Sequence, residues 1–141
     1  MVRQFFEASN EQDTKRMDQL VSRTNYSFHF SGMPLPMDWN QHKQFLSPFT
    51  IAFPDLRLNI EDMVAEGNKV AVRVTAGGTH KGELQGISPT DKQVTFTTMD
   101  FLTIIDGKVT EEWATADITG LMQQIGAMPA SSPANSNAAS S

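Results

Sequence analysis

The segment EEWATADITGLMQQIGAMP, residues 111–129, places a carboxylate where a predicted strand becomes a predicted helix. Two-residue periodicity puts Asp117 on the same strand face as Trp113, a large apolar residue that we expect to be buried. A carboxylate beside it would lose solvation, which raises its pKa and lets it exchange a proton near neutral pH. Alternatively, Asp117 is the N-cap of the helix that follows, accepts backbone N–H groups and stays ionised. The spacing leaves both roles open.

Three further side chains have the chemistry to bind or polarise a carbonyl group. His29 has the opposite parity to its two phenylalanine neighbours, and His80 follows a glycine pair that permits a bent strand edge. A neutral histidine can hydrogen-bond a carbonyl or shuttle a proton. Arg73 lies in a strand opposite a row of valines, where it either points into a pocket and stabilises an enolate or faces solvent. Each of the three also has an ordinary structural role as a surface or core residue.

A predicted pocket wall comes from the strand expected over residues 93–105. Met99 and Phe101 share one face of this strand and, together with Trp113, we expect them to exclude water from a substrate. Asp100 has the opposite parity, so Met99 and Phe101 are the better candidates for the wall. The sequence contains neither an HExxH set nor a phosphate-binding or dinucleotide-binding glycine loop. We therefore expect no metal and no cofactor.

The elements that position these residues change from helical to strand periodicity along the chain. The first third is predicted to be helical, and Asp38 can cap a helix in which Pro48 should cause a kink or an early end. Alternating strands follow, among them the long strand over 93–105, and Asp106-Gly107 is a tight turn that reverses the chain. Helices first and antiparallel strands later predict an α+β domain, with the helices on the concave side of one curved sheet.

Composition limits the classes of partner. The 141-residue chain has a formal net charge of −5 and a pI near 5.0, so it lacks the basic face that nucleic acid or an anionic membrane requires. It contains no cysteine, and no apolar run resembles a transmembrane helix or a signal peptide, so we expect a cytoplasmic protein. The apolar-poor segment over 130–141 is predicted to be a disordered tail, which leaves one domain over 1–129.

The motifs GGTHKGELQG, DGKVTEEW and DITGLMQQIG, in this order and spacing, resemble the SnoaL-like polyketide cyclase (ester cyclase) family of the nuclear transport factor 2-like superfamily. The resemblance implies a cone-shaped α+β barrel, in which a strongly curved antiparallel sheet and N-terminal helices wrap an apolar cavity. It also implies a homodimer formed through the sheet, an acid/base role for Asp117, and pocket positions for His80 and Trp113. Asp91 departs from the family, which usually has glycine there.

The function that we expect is a cofactor-free cyclase or isomerase for a small apolar carbonyl compound. Asp117 would remove a proton α to the carbonyl, while His80 or Arg73 stabilises the enolate oxygen. Two alternatives remain open. The same cavity could hold a hydrophobic ligand without catalysis, or the protein could hydrolyse epoxides, a chemistry for which Asp100 lacks an arginine two residues away.

Overall fold

The computed structural model describes residues 1–127, so the predicted tail over 130–141 lies outside the described residues. The described chain forms helices α1 (Val2–Asn10), α2 (Thr14–Leu20), α3 (Trp39–Ala52) and α4 (Ile118–Gln124), and strands β1 (Ser27–Phe30), β2 (Arg57–Glu66), β3 (Lys69–Thr79), β4 (Gln93–Ile105) and β5 (Lys108–Ala116). Three of the helices precede the main run of strands, which confirms the predicted α+β class. None of the described helices is long and apolar enough to cross a membrane.

The five strands form one open sheet in the order β1-β5-β4-β3-β2. Strands β2 to β5 pair antiparallel with one another, as predicted. Strand β1 pairs parallel with β5, so the sheet is mixed rather than wholly antiparallel. Strand β1 thus occupies the edge of the sheet next to β5. Strands β4 and β5 therefore lie inside the sheet, with partners on both sides.

The turns have the backbone that their residues favour. Asp106 and Gly107 both have positive φ, at 51° and 73°, which is the mirror-image turn that suits a two-residue hairpin. Asp91 has a φ of 60°, so it occupies a left-handed conformation like that of a glycine. Its N–H donates to the carbonyl of His80 at 2.9 Å, which extends the pairing of β3 and β4 toward their loop. The departure at Asp91 thus keeps the backbone shape that a glycine would adopt.

Helix α3 is longer than the sequence predicts. Its N-terminus is a capping box, in which the Asp38 carboxylate accepts from the Gln41 N–H at 2.8 Å and the Gln41 side chain accepts from the Asp38 N–H at 2.9 Å. The helix continues through Pro48 to Ala52, so the early end predicted at the proline is wrong. Pro48 removes only one N–H group, and the helix end is held by the N–H groups of residues 81 and 82, which both donate to the Ala52 carbonyl.

The helices cover one face of the sheet, which we call the inner face. Valines of β3, Leu102 of β4 and Phe28 of β1 are buried on it. They share one core with apolar residues of α1, α2 and α3, and this core includes Val2, Phe5, Phe6, Met17, Trp39, Phe28, Val72, Val74 and Leu102. The opposite, outer face has no covering element in the described chain. The alternation of each strand therefore assigns every residue either to the helix-covered core or to the exposed surface.

Candidate functional site

A cavity of about 150 Å³ lies between the inner face of the sheet and the helices. Its wall is mainly aromatic and aliphatic, and includes Phe5, Phe6, Phe28, Phe30, Phe45, Phe49, Phe53, Phe96, Leu46, Leu56, Leu58 and Ile118. Three side chains in the wall can exchange protons, namely His42, Asp100 and Glu112. No lysine or arginine lines the cavity among the described residues. The site is thus an apolar chamber with a small acidic patch.

Asp100 and Glu112 reach the cavity from neighbouring strands. In the register of β4 and β5, Asp100 lies opposite Ala114, and Glu112 lies opposite Leu102. The two carboxyls are therefore diagonal neighbours on the inner face, within reach of one another for long side chains. Both are buried, with only 6% and 5% of their surfaces exposed. The small side chain of Ala114 leaves room for a ligand beside them.

Burial sets the protonation of this pair. The loss of solvation raises the pKa of Asp100 from its ordinary 3.8 to about 7. The pKa of Glu112 is raised well above its ordinary value, first by burial and then by repulsion from the Asp100 carboxylate. Burial and mutual repulsion thus favour the protonated form of both carboxyls, and the pKa of Asp100 allows it to exchange its proton near neutral pH. One group can donate a proton and the other can accept one.

A tyrosine and a histidine complete the polar patch. The Tyr26 hydroxyl lies 3.2 Å from Glu112 Oε1 and 2.9 Å from His42 Nδ1. The His42 ring stacks on Phe28 at a centroid distance of 3.5 Å. Burial lowers the pKa of His42 to about 3, so the imidazole is neutral at physiological pH. Burial, followed by the charge of Glu112, raises the pKa of Tyr26 far above its usual range, so the phenol keeps its proton.

Five residues predicted to bind substrate lie on the outer face instead. They are His29, Arg73, Met99, Phe101 and Trp113, and the strand register places them together on that side of the sheet. None of them lines the cavity. Trp113, Phe101 and Met99 are 53%, 59% and 51% exposed, which corrects the prediction that they form the pocket wall. Arg73 is also exposed.

The physical reason for this correction is that strand parity tells which residues share a face of the sheet, but it does not tell which face the helices cover. We predicted that the face of Trp113 is buried because tryptophan is large and apolar. The helices cover the other face, so Glu112 and Ala114 point inward while Trp113 stacks on His29 at 3.8 Å. The His29 imidazole also lies 3.8 Å from the Glu111 carboxylate, outside the cavity.

Asp117 is the N-cap of α4. Its carboxylate accepts from the Gly120 N–H at 2.9 Å, and the residue is exposed. Its neighbours Ala116 and Ile118 line the cavity, but Asp117 does not. A Cβ at position 120 would collide with this carboxylate, so the glycine makes room for the cap. The structure therefore shows the capping role, and the acid/base role of Asp117 stays a prediction.

His80 is fully buried beside the cavity but does not line it. Its Nδ1 lies 3.0 Å from the Thr90 hydroxyl and accepts from the Thr90 N–H at 3.3 Å. Its ring lies 5.5 Å from that of Phe53, which does line the cavity. These contacts connect the loop after β3 to the wall of the chamber. The contacts give His80 a structural role, and its predicted catalytic role has no contact with the cavity to support it.

Asp100 and Glu112 are the functional candidates that sequence reasoning missed. The two-residue turn pairs Ile105 with Lys108, and this register alone would place Asp100 and Glu112 on opposite faces of the hairpin. A register shift between Thr103 and Ile104 brings both carboxyls to the inner face, and no local sequence signal reveals this shift. Among residues 1–127, no group of three or more His, Cys, Asp or Glu side chains is placed to hold a metal ion.

The open α+β cone and its apolar chamber define a class of protein that encloses small molecules. The chain belongs to the SnoaL-like polyketide cyclase family, which its sequence matches over residues 1–125. Among solved structures it is similar to AclR, a proposed hydroxylase from Streptomyces galilaeus, with 25% identity and a TM-score of 0.87 over 99% of this chain and 87% of that one.

Two further structures support the same fold. IdmH, a proposed polyketide cyclase from Streptomyces antibioticus, shares 26% identity with a TM-score of 0.83, over 89% of this chain and 95% of its own. A proposed polyketide cyclase from Bacillus cereus shares 28% identity with a TM-score of 0.74, over 89% of this chain and 77% of its own. No curated protein matches the sequence.

Proposed function

We propose that this protein is a cofactor-free acid/base catalyst that cyclises or isomerises a small, largely apolar carbonyl compound. The observation that carries the proposal is the pair of buried carboxyls, Asp100 and Glu112, in the wall of an otherwise apolar chamber. Membership of a cyclase family supports the reaction class. The similar structures are themselves described as a proposed cyclase or hydroxylase.

Asp100 is the proposed base. Its carboxylate takes a proton from the carbon α to the substrate carbonyl, the electrons of that C–H bond form the C=C bond of an enolate, and the carbonyl π electrons move to the oxygen. The pKa of Asp100, raised by burial to about 7, makes this carboxylate a stronger base than an exposed aspartate at the same pH. The chamber also excludes water, which would otherwise compete for the carboxylate.

Glu112 is the proposed acid. Its protonated carboxyl donates a hydrogen bond to the carbonyl oxygen as negative charge develops there, which is the role an arginine or a metal has in other sites. The α carbon of the enolate then attacks a second carbonyl of the same molecule, or the enolate is protonated at another carbon. The proton held by Asp100 goes to the new alkoxide oxygen or to that carbon, which restores the Asp100 carboxylate, while Glu112 keeps its own proton throughout.

The epoxide hydrolysis alternative has no support in the chamber. That chemistry requires an arginine beside the acidic groups, and no arginine lines the cavity in the described part of the chain. Thr98 lines it at the position two residues before Asp100. The binding alternative shares the same apolar wall, and it is separated from catalysis by the experiment below.

The test is α-proton exchange in D₂O, measured by ¹H NMR on a panel of small cyclic ketones. Wild-type protein should accelerate exchange above the buffer rate, and Asp100→Asn should remove about 100-fold or more of that acceleration. Asp117→Asn is the matched control, because asparagine remains a good N-cap. If Asp117→Asn abolishes exchange and Asp100→Asn does not, the predicted role of Asp117 is right and this proposal is wrong. Binding of the ketones without exchange would support the ligand-binding alternative.

We also propose that the protein is a homodimer formed through the outer face. The register aligns His29, Trp113, Phe101, Ala71 and Val64 in one line across all five strands, which we call the outer row. Three of its members are large apolar residues that are more than half exposed. A second copy, which presents the same row, would cover them. A cytoplasmic location fits an acidic chain without cysteine.

Sedimentation velocity tests the dimer. Wild-type protein should sediment as a dimer at micromolar concentration, and Phe101→Ser should shift it to the monomer because the substitution removes an apolar contact at the centre of the row. Thr97→Ser is the control, since Thr97 lies on the same face outside the row. A wild-type monomer, or a Phe101→Ser variant that stays dimeric, contradicts the proposed interface.

A further inference from the structure

We propose that Tyr26 and His42 form a proton relay that couples the protonation state of Glu112 to the tautomer of His42. The relay would support the acid role that the proposed function gives to Glu112. Only this effect on catalysis rests on the proposed function, and the proton transfers themselves do not. Its basis is the geometry of one hydroxyl that lies within hydrogen-bond distance of two partners, Glu112 Oε1 at 3.2 Å and His42 Nδ1 at 2.9 Å.

The inference follows from counting protons. A tyrosine hydroxyl has one proton, so Tyr26 can donate to only one of its two partners and must accept from the other. When Glu112 is ionised, Tyr26 donates to it, and His42 must carry its proton on Nδ1 to donate to the phenol oxygen. When Glu112 is protonated, it donates to Tyr26, Tyr26 donates to His42 Nδ1, and His42 carries its proton on Nε2. Each state of Glu112 thus selects one tautomer of a neutral histidine.

The relay moves protons without charging the imidazole. As Glu112 ionises, its proton passes to Tyr26, the Tyr26 proton passes to His42 Nδ1, and the proton on His42 Nε2 passes to a water molecule. The reverse sequence restores the acid form of Glu112. His42 also lines the cavity, so its ring is part of the surface that meets a ligand. The low pKa of His42, caused by burial, is consistent with a ring that stays neutral throughout.

The surroundings contain few groups that could compete with this coupling. Asp100 faces the cluster from β4 and raises the pKa values of both Glu112 and Tyr26. On the helix side, Trp39 packs edge-on against the His42 and Tyr26 rings, and behind it Lys43 pairs with Asp18 at 3.1 Å.

On the far side, Tyr26 borders a polar cleft that contains a second ion pair. Lys69 and Glu111 lie 3.7 Å apart there, on the opposite face of the sheet from Glu112. Helix α1 contributes only uncharged residues to the cavity wall, namely Phe5, Phe6 and Ser9. Asp100 is therefore the charged group that acts most directly on the relay.

In this arrangement, Tyr26 and His42 are positioning residues. The protonated carboxyl of Glu112 keeps a hydrogen-bond acceptor in Tyr26 only while His42 Nδ1 accepts from the phenol. Loss of either group would leave the Glu112 proton without its partner and would weaken the acid form that the proposed mechanism uses.

The test is the imidazole ¹⁵N spectrum of the ligand-free protein, which distinguishes a protonated from an unprotonated ring nitrogen. The chain has three histidines, so the His42 signals can be assigned from the spectrum of His42→Gln. Over a titration from about pH 5 to pH 10, we expect His42 to stay neutral while its proton moves from Nε2 to Nδ1. The midpoint should match that of the Glu112 carboxyl, followed by its ¹³C shift.

Tyr26→Phe removes the hydroxyl and keeps the ring. In this variant the Glu112 carboxyl should still titrate, but the His42 tautomer should no longer follow it. A tautomer that stays constant in the wild type, or a change that survives in Tyr26→Phe, overturns the relay. The wild-type titration does not depend on Tyr26→Phe, so it decides the question even if that variant fails to fold. The titration is made without substrate, so it tests the relay and does not test catalysis. The Asp100→Asn exchange experiment tests catalysis and does not test the relay.

Discussion

Replacing Asp100 by asparagine should stabilise the protein above neutral pH and leave its stability unchanged in acid. Asparagine has nearly the same shape as a protonated aspartic acid, but it carries no charge at any pH. The folded-state pKa of Asp100 is raised by burial, so the folded protein keeps this proton over a range in which the unfolded chain has lost it. The stability that the proton provides is fully present below about pH 4 and is lost as the pH rises through the folded value near 7.

The size of the effect follows from the pKa change. A rise from 3.8 to about 7 spans roughly three pH units, and each unit corresponds to about 1.4 kcal/mol. The free energy of unfolding of the wild type should therefore fall by about 4 kcal/mol relative to Asp100→Asn between acid and pH 8. That is a large share of the roughly 5–15 kcal/mol that stabilises a typical domain.

A second buried group has the opposite effect, which is why the comparison must be made between variants. The pKa of His42 is lowered by burial to about 3, so the unfolded chain binds a proton that the folded protein excludes. Between the folded value near 3 and the ordinary value of 6.5, stability therefore rises with pH and offsets the loss from Asp100. His42 is present in both proteins, so its contribution cancels in the difference between wild type and Asp100→Asn.

The assay is equilibrium urea unfolding by circular dichroism, at several pH values from about 4 to 8. We expect equal stability at the acid end and a growing advantage for Asp100→Asn toward pH 8. Asp117→Asn, which makes the same chemical change at an exposed capping residue, is the control. A stability difference that does not change with pH, or an Asp100→Asn variant that is weaker at pH 8, would refute the conclusion that this carboxyl is buried at the cost of its charge.

Three further predictions concern the elements around the chamber. Asp117→Ala should lower the free energy of unfolding by about 1 kcal/mol in urea titrations, because α4 loses its cap, whereas Asp117→Asn should cost much less. Gly82→Ala should cost about 1–3 kcal/mol in the same assay, because the added Cβ would collide with the Ile51 carbonyl oxygen; an unchanged midpoint would contradict this close approach. Ala114→Leu should fill the cavity and abolish binding of an apolar fluorescent probe, and binding at wild-type affinity would place the ligand elsewhere.

Much of the fold follows from local patterns that the sequence displays directly. The strand over 93–105 has the predicted bounds, and Asp38 and the Asp106-Gly107 turn have the predicted roles. Each depends on a few neighbouring residues, since a cap or a two-residue turn needs no tertiary partner. Pro48 is the exception, because tertiary contacts at the end of α3 outweigh the local preference to stop.

The inside and outside of the sheet could not be predicted in the same way. Parity correctly grouped Met99 and Phe101 on one face and Asp100 on the other. Parity does not predict which of the two faces the helices cover. Hydrophobicity was a misleading guide to that choice, because the outer face carries Trp113 and Phe101, large apolar residues of the kind that an interface between proteins would cover. The inner face includes the buried carboxyls Asp100 and Glu112, which hydrophobicity alone would have placed on the exposed face.

The two carboxylate environments also show that the two predicted roles of Asp117 place opposite demands on the charge of one side chain. A helix cap receives backbone N–H groups, which stabilise the charged carboxylate, whereas an acid/base group at neutral pH needs its charged form destabilised. In the structure, different residues in different environments meet these two demands. Asp117 lies exposed on helix amides, while Asp100 and Glu112 lie in an apolar chamber where burial and mutual repulsion favour the proton. Acid/base chemistry in this protein is therefore expected from the inner face of β4 and β5, and the exchange assay on Asp100→Asn and Asp117→Asn compares the two environments directly.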